Sequence, residues 1–287
     1  MRSGGKRENL TLRPEFPDYH FQCGITEHNT ASAAGGASLS DRVVFWADFG
    51  VFAADEVFNQ HRLNDINHTN LKVVATHCGL DVGPDGKTHH CMKYVGLMRA
   101  LYNYLTVVPA DPNQTDRVVR FAATHPGNFF IAMGRSAQPV ITREDGAPFF
   151  GADYEFVFGR PDILRDGGDI ALLAMGAMCH RALKVRDILA DRGISVRVYA
   201  VSAPNALAEP FVKTLMPFRL LATYEDHDAD TGMGAGLALT LADMDGAPRL
   251  ARFGARTYGM SGEPDDLYRA QGLLPDQVAE VLAARLG

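Results

Sequence analysis

The sequence predicts an α/β protein of two domains, each a mainly parallel sheet flanked by helices. Short, continuously apolar runs rich in β-branched and aromatic residues recur along it, as strands buried on both faces require. Stretches of helical periodicity separate these runs. The alternation occurs twice, on either side of a Gly-, Pro- and Asp-rich interval at 143–168. A chain of 287 residues is also long enough for two cores of ordinary size.

In the first half, "RVVFWA" (42–47), "LKVVAT" (71–76), "LTVVPA" (105–110) and "NFFIAM" (128–133) read as buried strands. Between them, "AADEVFNQHRLNDI" (53–66) and "CMKYVGLMRALYNYL" (91–105) carry helix-period apolar faces. "DPNQTDRVVRFAATH" (111–125) opens with Asp-Pro, a good N-cap and first-turn pair. After the interval come strands at "DIALLAM" (169–175), "SVRVYAV" (195–201), "RLLATYE" (219–225) and "RLARFGA" (249–255). Helices fill the gaps, one of them led by glycines, and "PDQVAEVLAARLG" closes the chain as a helix. The boundaries expected are 1–143 for the first domain, 144–164 for a linker and 165–287 for the second domain.

Composition narrows the function. Apolar residues at 46% and charged residues at 22% are those of a soluble globular protein. A net charge of −6 argues against nucleic-acid or anionic-membrane partners, which select basic surfaces. No stretch approaches the ~20 apolar residues of a membrane helix, and the polar N-terminus lacks a signal-peptide core. The four cysteines, Cys23, Cys78, Cys91 and Cys179, form no C-x-x-C pair and read as reduced thiols in a cytoplasmic protein.

The densest chemistry lies in "THCGLDVGPDGKTHH" (76–90), which leaves the end of a buried strand, where open α/β sheets bind ligands. Its glycines permit close backbone approach. His77, Asp85 and His89 offer directional donors and acceptors suited to a polyhydroxylated substrate. A zinc site and a merely solvated loop are the competing readings; zinc sites usually pair ligands at short, regular spacing, and here the spacing is irregular. In "CGITEHN" (23–29), Glu27 opens a small-residue helix. Taken with Phe49 and Phe52 of "ADFGVF" (47–52), it could clasp a flat nitrogen heterocycle, the rings stacking while the carboxylate holds a ring nitrogen. Arg135 in "AMGRSAQPV" (132–140) sits past a strand end, as a fork for a phosphate dianion or as an ordinary surface ion pair. "TGMGAGL" (231–237) departs from the dinucleotide fingerprint in spacing. Close packing of a helix on the sheet is its better account.

Taken in order, these stretches resemble the C-terminal half of transketolase, a thiamine-diphosphate enzyme. "GITEHN", "ATHCGLDVGPDGKTHH" and "IAMGRS" are similar to that family's cofactor, histidine-loop and phosphate-arginine motifs. "ATYEDHDADTGMGAGL" and "RFGARTYGMSGEPDDLYRAQGLLPDQV" resemble its C-terminal domain. The resemblance implies that 1–143 is the pyrimidine-binding domain and 165–287 the C-terminal domain. It implies that Glu27 hydrogen-bonds N1′ of the cofactor's aminopyrimidine, favouring the imino tautomer that removes the thiazolium C2 proton. Phe49 and Phe52 would stack on the pyrimidine. His77 and His89 would contact the sugar or its phosphate, Asp85 a donor hydroxyl, and Arg135 the phosphate. The implied reaction passes a two-carbon ketol group from a phosphorylated ketose to an acceptor.

The family's Mg²⁺ is usually held by a Gly-Asp-Gly stretch with a downstream Asn, and the Asp-Gly pairs here lack that context. The expectation is a split enzyme: an N-terminal subunit supplies the diphosphate-binding domain and the metal ligands, in an α2β2 heterotetramer. Two features depart from the pattern. The similarity starts at about "ENLTL" (8–12), without the helix and strand that normally precede it. His90 stands where transketolases usually have Gln, and Cys78 and Asp81 also differ. The histidine pair is similar to 1-deoxyxylulose-5-phosphate synthase, whose loop nevertheless begins Asp-Arg. Two-carbon transfer to a non-sugar acceptor and a non-catalytic transketolase-like paralogue are the alternatives.

Overall fold

A computed structural model describes residues 15–287; the motif at 8–12 lies outside them. Helix α1 (Glu27–Ala37) leads into β1 (Val44–Phe49), a π-type turn (Phe52–Glu56) and α2 (Phe58–Ile66). Then follow β2 (Leu71–Thr76), α3 (Tyr94–Arg99), β3 (Tyr104–Val107), α4 (Pro112–Thr124) and β4 (Asn128–Ala132). The strands form a wholly parallel sheet in the order β1-β2-β4-β3. Strand β4 is buried along its whole length, which is why "NFFIA" is apolar at almost every position rather than alternating. Helix α4 begins as its Asp-Pro predicts: the Asp111 side chain accepts from Gln114 N at 2.8 Å, satisfying a first-turn N–H.

Two of the three helices expected between these strands differ from their patterns. The 91–105 pattern yields only α3, because the Asp65 carboxylate accepts from Tyr102 N at 3.0 Å and Asn103 N at 2.8 Å and draws the chain out of helical register. The 53–66 pattern is split by the π-type turn, a feature frequent at functional sites.

The second sheet contains β5 (Asp162–Arg165), β6 (Ile170–Ala174), β7 (Val196–Ala200), β8 (Leu220–Asp228) and β9 (Arg249–Ala255), ordered β5-β7-β6-β8-β9. Helices α5 (Met178–Ala190), α6 (Glu209–Thr214), α7 (Met233–Ala242), α8 (Pro264–Ala270) and α9 (Pro275–Leu286) complete the fold. Strand β5 begins inside the stretch read as an irregular connection and pairs antiparallel with β7. As a short edge strand with alternating burial it lacks the apolar run of its neighbours. Helix α8 was likewise not anticipated. Leu172, Val198 and Ala222 pack with Val185 of α5 and Leu282 of α9. Leu173, Tyr199 and Leu221 instead join Met98, Leu101 and Val108 of the first domain, so one apolar core runs between the sheets. Among the described residues no helix is long and apolar enough to cross a membrane.

The glycine-led helix is α7. Buried Glu225 accepts from Met233 N at 2.7 Å and Gly234 N at 2.9 Å, bringing a carboxylate to the helix's free N–H groups. Burial pushes this carboxyl up to about 8. A Cβ on Gly234 would collide with Thr223 Oγ1 and lie 3.0 Å from Glu225 Oε1. The glycines thus let helix meet sheet, as expected. Gly234→Ala should cost about 1–3 kcal/mol through overpacking, read as a lowered Tm; an unchanged Tm would remove this account.

Candidate active site at the strand ends

In a parallel sheet the carboxyl ends of all strands fall on one edge, and the helices between them point their N-termini to that edge. Pairing places Phe49 opposite Thr76 and Ala75 opposite Ala132, so β1, β2 and β4 end together. The chain therefore delivers Phe49 and Phe52 after β1, His77 after β2 and Arg135 after β4 to one rim. Glu27, the first residue of α1, reaches the same edge.

His77 is the hub. Its φ is 59°, a left-handed conformation uncommon outside glycine and often retained at functional sites. Its Nδ1 lies 2.9 Å from Thr76 Oγ1. Its ring stacks on Phe49 with centroids 3.8 Å apart and an interplanar angle of 16°. Phe49 and Phe52 are near-parallel at 16°, with centroids 6.4 Å apart. His89 meets Phe52 edge-on at 5.5 Å and 84°. Burial holds the His77 pKa below its ordinary value, and the Arg135 charge pushes the same way; Asp85 and Asp81 oppose, and His89 adds to the lowering. His77 is thus neutral at pH 7, able to donate and accept, with both charge signs around it.

Glu27 belongs to an adjoining acidic patch. Burial raises the Asp48 pKa, partly offset by Phe49 N donating to Asp48 Oδ1 at 2.7 Å, while the Glu27 and Glu56 charges raise it further. His28 Nδ1 lies 3.7 Å from Glu56 Oε1 and ties α1 to the π-type turn. Glu27 itself is half-buried and has no hydrogen-bond or ion-pair partner among the described residues. The structure therefore gathers Phe49, Phe52, His77, Asp85, His89 and Arg135 around one rim, with Glu27 beside them.

The histidine loop is held from three sides. Cys78 N donates to Met133 O at 2.9 Å and Gly79 N to Cys91 O at 2.8 Å. Leu80 N and Asp81 N donate to the Asp226 carboxylate at 2.8 and 3.1 Å. The Asp81 carboxylate in turn accepts from Ser136 N at 2.6 Å, joining the loop to the Arg135 segment. Burial, and then the Asp81 charge, push Asp226 up to about 7. His90 parts company with His89: its Nδ1 accepts from Gly259 N at 3.2 Å in the second domain. Burial, with His89 adding, lowers its pKa. The histidine pair thus divides, His89 facing the aromatic rim and His90 making an interdomain contact. Sequence reasoning does not single out Asp48 or Asp226, and it notes Asp81 only as a departure from the family's loop; Asp226 alone has a signal, the acidic run "YEDHD" after a buried strand.

Residues 2–140 match the family profile described as transketolase, pyrimidine binding domain, and 159–278 match transketolase, C-terminal domain. The chain belongs to the transketolase family. This transketolase chain is 29% identical over 278 residues to a putative transketolase C-terminal section of Methanocaldococcus jannaschii, covering 96% of itself and 85% of that protein. It is 27% identical to one subunit of the apulose-4-phosphate transketolase of Actinobacillus succinogenes, covering 93% of itself and 85% of that relative. Against rat transketolase it is 25% identical and covers 97% of itself but 44% of that enzyme. A solved structure described as a split-gene transketolase in an inactive β4 tetramer superimposes with a TM-score of 0.85 at 28% identity, covering 98% of this transketolase chain and 88% of that one. Membership of the transketolase family implies dependence on thiamine diphosphate.

Proposed function

We propose that this chain is the C-terminal subunit of a two-component transketolase-type enzyme, transferring a two-carbon ketol group from a phosphorylated ketose to an acceptor. The observation that carries this reading is the convergence of His77, Asp85, His89 and Arg135 beside Phe49 and Phe52, on the rim where Glu27 opens α1.

These residues fit the aminopyrimidine half of thiamine diphosphate. Glu27 is a carboxylate without a partner among the described residues, next to an aromatic wall. When bound, the cofactor supplies the nucleophilic carbon that a ketose carbonyl needs. Glu27 would hold a proton at N1′ of the aminopyrimidine, and Phe49 and Phe52 would pack against that ring. Neutral His77, together with His89, hydrogen-bonds the sugar, Asp85 accepts from a donor hydroxyl, and Arg135 pairs with the phosphate.

The Asp-Gly pairs of this chain lack the Gly-Asp-Gly context of the family's diphosphate and metal motif. In this reading the Mg²⁺ ligands and the diphosphate cradle come from an N-terminal subunit, and the two chains form an α2β2 assembly. Supporting this, Phe21 and Ile25, just before Glu27, are 82% and 92% exposed, as apolar residues awaiting cover would be. The likeness to a subunit of apulose-4-phosphate transketolase adds that phosphosugar to the donors to try. The test is ketol transfer by this chain with and without the diphosphate-domain subunit.

A further inference from the structure

Asp226 belongs to the second domain, at the end of β8, yet its carboxylate serves the loop that carries His77. Oδ1 accepts from Leu80 N at 2.8 Å, and Oδ2 accepts from Asp81 N at 3.1 Å and from Tyr268 OH of α8 at 2.8 Å. The residue is 7% exposed, so water does not compete for these bonds. Gly79 has a φ of 83°, and a Cβ there would collide with Asp226 Oδ2; the carboxylate lies against the bare glycine. Of the four N–H groups following His77, those of Cys78 and Gly79 are bonded within the first domain. Those of Leu80 and Asp81 are bonded to Asp226. From Asp81 the chain of contacts continues, because its carboxylate receives Ser136 N at 2.6 Å, one residue beyond Arg135.

We propose that Asp226, steadied by Tyr268, is a positioning residue: it fixes the 79–81 turn, and through it both His77 and Arg135, for one phosphorylated donor. The second domain then acts on the reaction without reaching the reacting atoms. Asparagine in place of Asp226 keeps the shape but turns an NH2 group toward backbone N–H donors, so one of them loses its acceptor. The bonds lost are shielded from water, where they are strongest. The turn loosens, and with it the spacing between imidazole and guanidinium.

The kinetic part of this inference rests on the proposed transketolase-type function; the structural part does not. The full chain, assembled with the diphosphate-domain subunit, is compared as wild type, Asp226→Asn, Tyr268→Phe and the packing control Val185→Ala in α5. Hydrogen–deuterium exchange across 79–82 should be faster in Asp226→Asn and unchanged in Val185→Ala. For Asp226→Asn the KM for a phosphorylated ketose should rise about tenfold, with kcat changing much less and the KM for an unphosphorylated ketose rising less. Tyr268→Phe should move exchange and KM the same way by about threefold; it decides the matter if Asp226→Asn does not fold. Wild-type exchange at 79–82 would overturn the proposal, as would faster exchange with unchanged KM, since Asp226 would then be a structural tie alone. If the wild-type assembly shows no ketol transfer, the proposed function fails, and the exchange comparison still decides whether Asp226 holds the turn.

Discussion

Glu27→Ala in the assembled enzyme is expected to lower kcat by a factor of about 10²–10⁴, the usual range for loss of a positioned acid–base group. Folding should hardly notice. Glu27 is half-buried, and no described residue depends on its carboxylate, so its removal leaves no buried donor unpaired. The remaining cost is that of a helix N-terminal carboxylate, about 0.3–1 kcal/mol. Glu27→Gln is the sharper variant, because it keeps volume and one acceptor while removing the ionisable proton. Steady-state turnover at saturating cofactor reads the effect. Turnover retained in Glu27→Ala would remove the catalytic assignment and favour a non-catalytic paralogue.

Arg135→Ala should raise the KM for phosphorylated donors about 10–100-fold, the value of a charge-assisted pair of about 1.5–3 kcal/mol. Unphosphorylated ketoses should be affected little. The guanidinium is exposed, so no core is disturbed by truncation. A smaller effect accompanies the first: Arg135 helps hold the His77 pKa down, so the variant's His77 should titrate higher. An equal loss for both donor classes would mean that Arg135 acts through His77 or the loop rather than on a phosphate.

Where the sequence was legible, one local interaction dominated. Asp111 caps α4 through Gln114 N three residues away, and Asp-Pro announces it. Strands β2, β3 and β4 of the first sheet are largely buried on both faces, so their apolar runs stand out, whereas the edge strand β1 keeps an apolar run with only Trp46 fully buried. The site rim was legible for a topological reason: in a parallel sheet, residues just past strand ends converge, so Phe49, His77 and Arg135 can be grouped before their contacts are seen. The parts that were missed depend on distant partners. Helix α3 stops early because Asp65 captures Tyr102 N and Asn103 N from 37 and 38 residues away. Strand β5 owes its place to β7 rather than to its own pattern. His89 and His90 are neighbours in sequence but face different domains, the second drawn to Gly259 N across 169 residues. Asp226 reaches the loop from 146 residues downstream, and no spacing rule reports that.

The most direct measurement is ketol transfer from xylulose 5-phosphate to ribose 5-phosphate with thiamine diphosphate and Mg²⁺, run on this chain alone and again with its diphosphate-domain subunit. The account predicts no turnover by the chain alone and turnover once the two are assembled. Turnover by the isolated chain would contradict the split enzyme. An assembled complex that binds the cofactor yet transfers no ketol unit from any phosphorylated ketose would contradict the transketolase-type reaction itself.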